Sequence, residues 1–456
     1  MIAIIVALIT IAVLYLYGTK DYKYWEKKGI KHEKPIPFLG NNARNFLMRM
    51  STTELLVEMY WKYPNEKVVG FYRAFRRELI IRDPEIAKRV LTTDFVHFYP
   101  RGINPHKKHI EPMLRNIFFV DGDVWRLLRQ RMTPAFTSGK LKAMFPLIVE
   151  RAEKLQTLVI SAASSGRVLD ARDLMARYTT DFIGACGFGL ESDSLSDENS
   201  PFRQLGAKIF NVTTKQVIMN MLKIMFPEVF KYVKLQAEVE ADIVMIVNEI
   251  LKKRNYQPSG RNDFIDLLLE CKAKGILVGE SIEHFKPDGT PEIAKLELDD
   301  LVMAAQVFIF FAAGFETSSS STSYTLHQLA YNPDKQKKVQ AEIDRVLAKY
   351  ENKLCYDAIK EMTYLECAFK EGMRMFPSLG FLVRQCVDKY TFPEIDLTID
   401  QGVQIFIPVQ AMQNDPKYFE SPEQYRPERF LPGEFDSYKR NVYLPFGLGP
   451  RACIGN

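Results

Sequence analysis

Residues 302–315 are apolar on every side except at Gln306. A surface helix carries a polar stripe, so a helix apolar all round must be enclosed by other protein. The helical pattern around this run extends over residues 296–331, and charge flanks its short apolar centre too closely for a bilayer span. Enclosing it demands many further helices, and helical spacing does dominate the middle of the chain. Candidates fall at residues 123–135, 138–162, 171–186, 231–254 and 263–274, with two more between Pro333 and Phe376. Pro84 opens a shorter one over 85–91. Strand-like pieces are few: a pair at residues 68–72 and 78–82, and one at 403–409. The expected fold is therefore mainly α with smaller β-sheet regions. With 456 residues, 47% hydrophobic, and 31 phenylalanines, the chain can bury a large core and still line an apolar cavity. A net charge of +5 is too small to imply a nucleic-acid surface.

The N-terminus is a second constraint. Residues 1–17 are apolar apart from Thr10, and the first charge is Lys20. No basic segment precedes this run and no small-x-small cleavage site follows it, so residues 1–19 read as a transmembrane signal anchor. Lys20, Lys23, Lys27, Lys28, Lys31 and Lys34 follow, which by the positive-inside rule keeps the rest cytoplasmic. Residues 20–40 form a basic, proline-rich hinge ending in Lys34-Pro-Ile-Pro-Phe-Leu-Gly40, and 41–456 read as one domain. The six cysteines show no C-x-x-C pair, which argues against zinc, and a cytoplasmic domain keeps them as thiols.

Four patterns carry chemistry. The first is Phe446-Gly-Leu-Gly-Pro-Arg-Ala-Cys-Ile-Gly455. A lone cysteine in a glycine-rich loop is ordinarily an inert thiol, but here every fixed position of F-x-x-G-x-R-x-C-x-G is present. The second, Glu371-Gly-Met-Arg374, sets two charges on one helical face, which alone reads as a solvated pair. The third, Trp125-Arg-Leu-Leu-Arg129, sets an indole N–H beside a guanidinium, a spacing that also suits plain packing or a cation–π pair. The fourth is Ala313-Gly-Phe-Glu-Thr-Ser318 inside the apolar helix. A glycine, an acid and a hydroxyl are locally costly there, although the serines that follow leave open a polar helix face.

Taken in chain order, the patterns resemble those of the cytochromes P450, and the likeness covers essentially the whole chain. It is strongest to insect microsomal, xenobiotic-oxidising members of family six, as in Thr133-Pro-Ala-Phe-Thr-Ser-Gly-Lys-Leu-Lys142 and Gly380-Phe-Leu-Val-Arg384. The resemblance implies a P450 fold and haem b, with Cys453 as the iron ligand. Phe446 would shield the sulfur, and Gly447, Gly449 and Gly455 would let the loop fold beneath the macrocycle. Arg451, Trp125, Arg129 and Arg384 would hold the propionates. Glu371, Arg374 and Arg429, the last from Pro427-Glu-Arg-Phe430, would form a structural network. Ala313, Gly314, Glu316 and Thr317 would form the oxygen pocket, with Gly314 leaving room for O2. Thr317 would bond back to the Ala313 carbonyl and relay protons with Glu316.

Stretches that would line the substrate cavity are residues 100–119, 202–230 and 379–383, with Phe118, Phe308, Phe311 and Leu382 as candidate contacts. Residues 218–230 are apolar enough to dip into a bilayer. The resemblance implies a monooxygenase in the endoplasmic reticulum membrane acting on lipophilic plant toxins, insecticides or other xenobiotics. A hormone or lipid hydroxylase, and a non-catalytic haem or lipophile binder, are the alternatives. Electrons would come from NADPH through a cytochrome P450 reductase, with cytochrome b5 as a second donor, and Arg126, Arg131, Lys439 and Arg440 would offer them a basic patch. Relatives continue past the cysteine with a helix and a β-rich segment, so a chain ending at Asn456 is expected to lack its C-terminal end and to hold haem poorly by itself.

Overall fold

The central helix starts where Asp299 caps it, its carboxylate accepting a hydrogen bond from Val302 N–H at 2.6 Å. This is a computed structural model, and it describes residues 2–104, 106, 108–190, 194, 195, 197, 200–261, 263–435 and 438–455. The helices used below are α1 (Ile2–Thr19), α2 (Thr52–Lys62), α3 (Gly122–Met132), α4 (Ala171–Ile183), α5 (Thr214–Met225), α6 (Asp300–Tyr331) and α7 (Thr363–Met375). The strands are β1 (Val68–Arg73), β2 (Arg76–Ile81), β3 (Ile276–Phe285), β4 (Pro291–Glu297), β5 (Leu382–Gln385), β6 (Tyr390–Phe392), β7 (Leu397–Ile399) and β8 (Gln404–Ile407).

The apolar centre of α6 is enclosed as its composition requires. Val302, Met303, Ala305, Phe308, Phe311 and Phe315 are all buried in the largest hydrophobic cluster, and α4 and α7 pack along the helix. Gln306 is fully buried but not orphaned. Its Oε1 accepts from Ile117 N–H, and its Nε2 donates to the carbonyls of Arg115 and Val302 at 3.0–3.1 Å. The one polar residue in the apolar run thus ties the preceding loop to the helix.

A four-stranded sheet in the order β1-β2-β8-β5 forms the second layer, with β2 and β8 parallel and the outer pairs antiparallel. Residues alternate between two cores with a period of two. Val68, Tyr72, Leu79, Ile81, Ile405 and Ile407 face one, while Val69, Phe71, Ile80 and Phe406 face the other, where Leu56 and Met59 of α2 cover them. The strands β6 and β7 form a separate hairpin.

Two expectations shift. The predicted helix start at residue 296 belongs instead to β4, because Leu296 pairs with Leu277 across the β3–β4 hairpin. The Lys286-Pro-Asp-Gly289 stretch is its turn, with Gly289 at φ +83° and Asp288 accepting from Thr290. The helix expected from residue 231 begins only at Ala237, because Glu111 accepts from the N–H groups of Leu235 and Gln236 and holds them outside it.

Helix α1 stays outside both cores, with Ile2, Leu8 and Leu16 exposed. Among the described residues, the helix long and apolar enough to cross a bilayer is α6, whose side chains are mostly buried in the protein.

Candidate active site

The loop around Cys453 is drawn tight by three backbone bonds: Gly447 N–H to Leu444, Ala452 N–H to Gly449 and Cys453 N–H to Phe446, at 2.8–3.0 Å. Gly449 is obligatory. At φ +75°, a Cβ there would lie 1.9 Å from the Leu91 carbonyl oxygen. The thiol at the end of this loop is exposed, whereas four of the other five cysteines are buried and Cys355 is half-buried. Burial pushes the Cys186 and Cys386 thiols up to about 12 and Cys367 to about 11, which leaves them inert. Phe446 is about one-third exposed beside Cys453.

Behind the loop, arginines converge from separate parts of the chain. Arg129 of α3 donates to the Ala452 carbonyl at 2.8 Å, and Arg101 donates to Arg451 O at 3.3 Å. Arg384 of β5 and Arg451 are 2% and 3% exposed. The carboxylate set against them is Asp121, 2.7 Å from Arg451 Nη2. Desolvation pushes Arg101 down to about 10 and Arg451 to about 9, and it also drives Arg384 well below its ordinary value, with Arg101 and Arg451 adding to the effect. Arg384 Nη1 donates to the Val383 carbonyl at 2.7 Å, but among the described residues its buried Nε has no partner. Buried cations in such excess are costly unless an anion completes them. A planar group with two carboxylates, which haem b is, fits this cluster.

The arginines are not equivalent. Arg451 uses its guanidinium on the carbonyls of Tyr99 and Val120 and on Asp121, and it lies 4.1 Å above the Trp125 ring. It therefore pins the cysteine loop, and Trp125 serves it as a cation–π platform. Arg384 and Arg129 keep donors free for a ligand. So does Arg101, which sequence reasoning missed. Its only signal was a cation following Pro100 in a stretch assigned to the substrate cavity. Arg101 also occupies Phe118, donating to its carbonyl at 2.7 Å and covering its ring at 4.3 Å.

On α6, Thr317 Oγ1 donates to Ala313 O at 2.7 Å, and Ala313 is exposed. Two expectations need correction here, those for Gly314 and for the phenylalanines. A Cβ on Gly314 would meet Ile183 Cδ1 at 2.7 Å, so this glycine admits α4 and does not open space for O2. Phe308 and Phe311 are 4% and 1% exposed, and Phe311 packs among Phe188, Phe202 and Phe315. They are core residues, because they project from the packed side of the helix. Glu316 turns to the helix edge, where Arg172 donates to it at 2.9 Å.

Leu382 packs over Gly447 of the cysteine loop. The expected basic patch is divided. Arg126 pairs with Glu280 of β3, Arg131 donates to Val278 O at 3.1 Å, and Arg440 lies on a turn against Pro84–Lys88. The side chain of Lys439 lies outside the described residues.

The structure also brings Glu371, Arg374 and Arg429 together. Arg374 makes a bidentate pair with Glu371 at 2.7 and 3.0 Å, and Arg429 Nε reaches the same carboxylate at 3.2 Å. The remaining donors of Arg374 go to the carbonyls of Gln413 and Pro422 and to Asn414 Oδ1.

The comparisons with known proteins agree with this geometry. The family described as cytochrome P450 matches residues 31–456. Cytochrome P450 6B2 of Helicoverpa armigera is 35% identical over 98% of this chain and 86% of its own length. Cytochrome P450 6a2 of Drosophila melanogaster is 36% identical over 100% and 90%, and cytochrome P450 6B1 of Papilio polyxenes is 36% identical over 99% and 89%. A cysteine loop backed by under-compensated arginines, a mainly helical fold with small sheets and these matches lead to one conclusion: the chain belongs to the cytochrome P450 family and is a haem monooxygenase similar to the insect members of family six.

Proposed function

We propose that the protein inserts one atom of O2 into lipophilic xenobiotics, using electrons that a flavoprotein reductase draws from NADPH, with cytochrome b5 as a second donor. The observation that carries this reading is the unmatched arginine charge beside the exposed Cys453 thiol. In it Cys453 holds the iron of haem b, Arg101, Arg129 and Arg384 hold the propionates, and Arg451 with Trp125 fixes the loop. Phe446 and Gly447 shape the surface beneath the sulfur. Glu371, Arg374 and Arg429 hold the scaffold from which that loop hangs.

Haem b supplies the O2 activation that no side chain can perform. The chain's own part is to exclude water and move protons. Thr317 Oγ1 rests its proton on the Ala313 carbonyl and would supply it on turning away, while Glu316 at the helix edge would link it to solvent. Substrate would lie against Ala313 and the loop that carries Phe118.

A location in the endoplasmic reticulum membrane, with α1 as a single-pass anchor and the domain cytoplasmic, follows from the exposed apolar length of α1 and the lysines after it. Phe226, Val229 and Tyr232 are exposed as well, and they suit contact with the same membrane.

A reduced carbon monoxide difference spectrum of the haem-loaded protein tests the assignment. A thiolate-type Soret band is expected and is lost in Cys453→Ala. A band that persists in that variant would overturn the ligand. Turnover with reductase and NADPH across a panel of lipophilic compounds then identifies the substrate class.

A further inference from the structure

Helix α3 carries Arg126, Arg129 and Arg131 against one acid, Asp123, and it backs onto the cysteine loop through the bond from Arg129 to Ala452. Its outer side is nevertheless not open. The β3–β4 hairpin lies along it, with Gly279 so close that a Cβ there would meet Leu127 Cδ2 at 2.8 Å. The hairpin is acidic where the helix is basic: residues 276–297 hold Glu280, Glu283, Asp288, Glu292 and Glu297 against two lysines. Glu280 reaches Arg126 at 3.1 Å, and the Val278 carbonyl accepts from Arg131. Glu283 sits on the helix N-terminus and accepts from Asp123 N–H at 3.2 Å, where the helix dipole favours an acid. An acidic element thus fills the basic face that an acidic partner would otherwise meet.

Few apolar contacts hold the hairpin there. Leu277 is buried and Ile282 and Leu296 are half-buried, but Val278, Phe285 and Ile293 are exposed. The two strands pair with no other strand, and such a hairpin is marginal in water without a surface to lean on. Between Glu280 and Phe285 the pairing with β4 breaks, and the strand bonds to α3 instead. Ile282 N–H donates to Asp123 at 2.7 Å, and Ser281 Oγ donates to the same carboxylate. Residues 282–285 also border a cavity of about 1300 Å³ together with Trp125, Arg129 and Pro450. This end of the hairpin therefore rests on charge and hydrogen bonds beside open space, and contacts of that kind are weakened by salt and by a better-matched charged partner.

We propose that the β3–β4 hairpin is an internal stand-in for an acidic protein partner, and that the electron-donating flavoprotein must displace it from α3 to reach the cysteine side of the haem. The inference rests on the monooxygenase reading, in which an external protein supplies the electrons. It adds a competitor to that transfer, because partner and hairpin contend for Arg126 and Arg131.

The test is hydrogen exchange of the haem-loaded full chain with and without NADPH-cytochrome P450 reductase. The amides of Ile282, Glu283 and His284 are bonded to Asp123 and Ser281 while the hairpin is seated. Saturating reductase is expected to speed their exchange about tenfold or more. A partner that docked onto the hairpin would slow the same amides, and slower or unchanged exchange overturns the proposal. This measurement needs no variant. Ser281→Asp then sets a second carboxylate against Asp123 and unseats the hairpin without touching the arginines. It is expected to lower the reductase concentration for half-maximal reduction about tenfold at low salt, and a value equal to the parent's overturns the proposal. Reduction by dithionite under carbon monoxide bypasses the partner and should give the same thiolate-type band in parent and variant. Absence of that band in the parent overturns the haem reading itself, so the two failures are distinguishable.

Discussion

Two buried charge clusters lie in this protein, and they differ in what completes them. Around Glu371 the acid and base donors and acceptors are answered within the chain, by Arg374, Arg429 and the carbonyls of Gln413, Pro422 and Ser421. Around Asp121, among the described residues, the arginines outnumber their carboxylate and Arg384 Nε has no partner. The first cluster is a finished piece of scaffold. The second is complete only with an anion from outside, and burial of charge without pairing is how a fold declares a ligand site.

The sharpest way to break this contrast is to remove one partner from each side. Glu371→Ala strands two guanidiniums in the interior and should cost about 3–5 kcal/mol of stability, read as a loss of soluble folded protein or a fall in the urea midpoint. A midpoint close to the parent's would show that the network is dispensable.

Arg384→Met should do the opposite to the bare fold. It removes a desolvated charge whose only side-chain bond among the described residues is to the Val383 carbonyl, so stability before haem loading should hold or rise. Haem retention, followed by transfer to apomyoglobin, should fall by about tenfold or more for the loss of one charge-assisted contact. A variant that unfolds as Glu371→Ala does would erase the distinction between the clusters.

The hairpin on α3 offers a smaller test of how charge is presented at the surface. Glu280→Gln frees Arg126 from a surface pair, an interaction of about 0.2–1 kcal/mol. Reductase should then couple up to several-fold more readily at low salt, and the gain should vanish at high salt. An unchanged rate at every ionic strength would exclude Arg126 from docking.

The smallest effect is in acid. Desolvation raises the Glu428 carboxyl, but the hydrogen bonds from Lys338, Lys335 and Tyr364 outweigh it and hold the group at about 2, below its ordinary 4.5. A depressed folded-state value means the stabilisation is present above the unfolded value and is lost as pH falls from about 4.5 toward 2. Thermal midpoints of the parent and Glu428→Gln should therefore converge across that window and differ above it.

Much of the candidate site was legible because its signals are local. The spacing of Cys453 and its glycines, the helical face shared by Glu371 and Arg374, and the return bond from Thr317 to Ala313 all follow from neighbours within a few residues. The β3–β4 hairpin was missed although Lys286-Pro-Asp-Gly289 is a turn signal, because its strands are largely exposed and charged, lack the apolar run of a buried strand, and have helix patterns around them. Arg101 was missed because an arginine after a proline in a loop says nothing until the fold brings Asp121 and Arg451 to it.

The sequence alone therefore determined the family, the cysteine loop, the buried central helix and the apolar N-terminal run, since each is written in the spacing of adjacent residues. Only the tertiary structure decided that Gly314 admits Ile183, that Phe311 faces the core, that Arg451 pins the loop while Arg384 Nε has no partner among the described residues, and that the β3–β4 hairpin lies on α3. Those facts depend on which distant groups share a few ångströms of desolvated space, and the electrostatics of that space is fixed by packing.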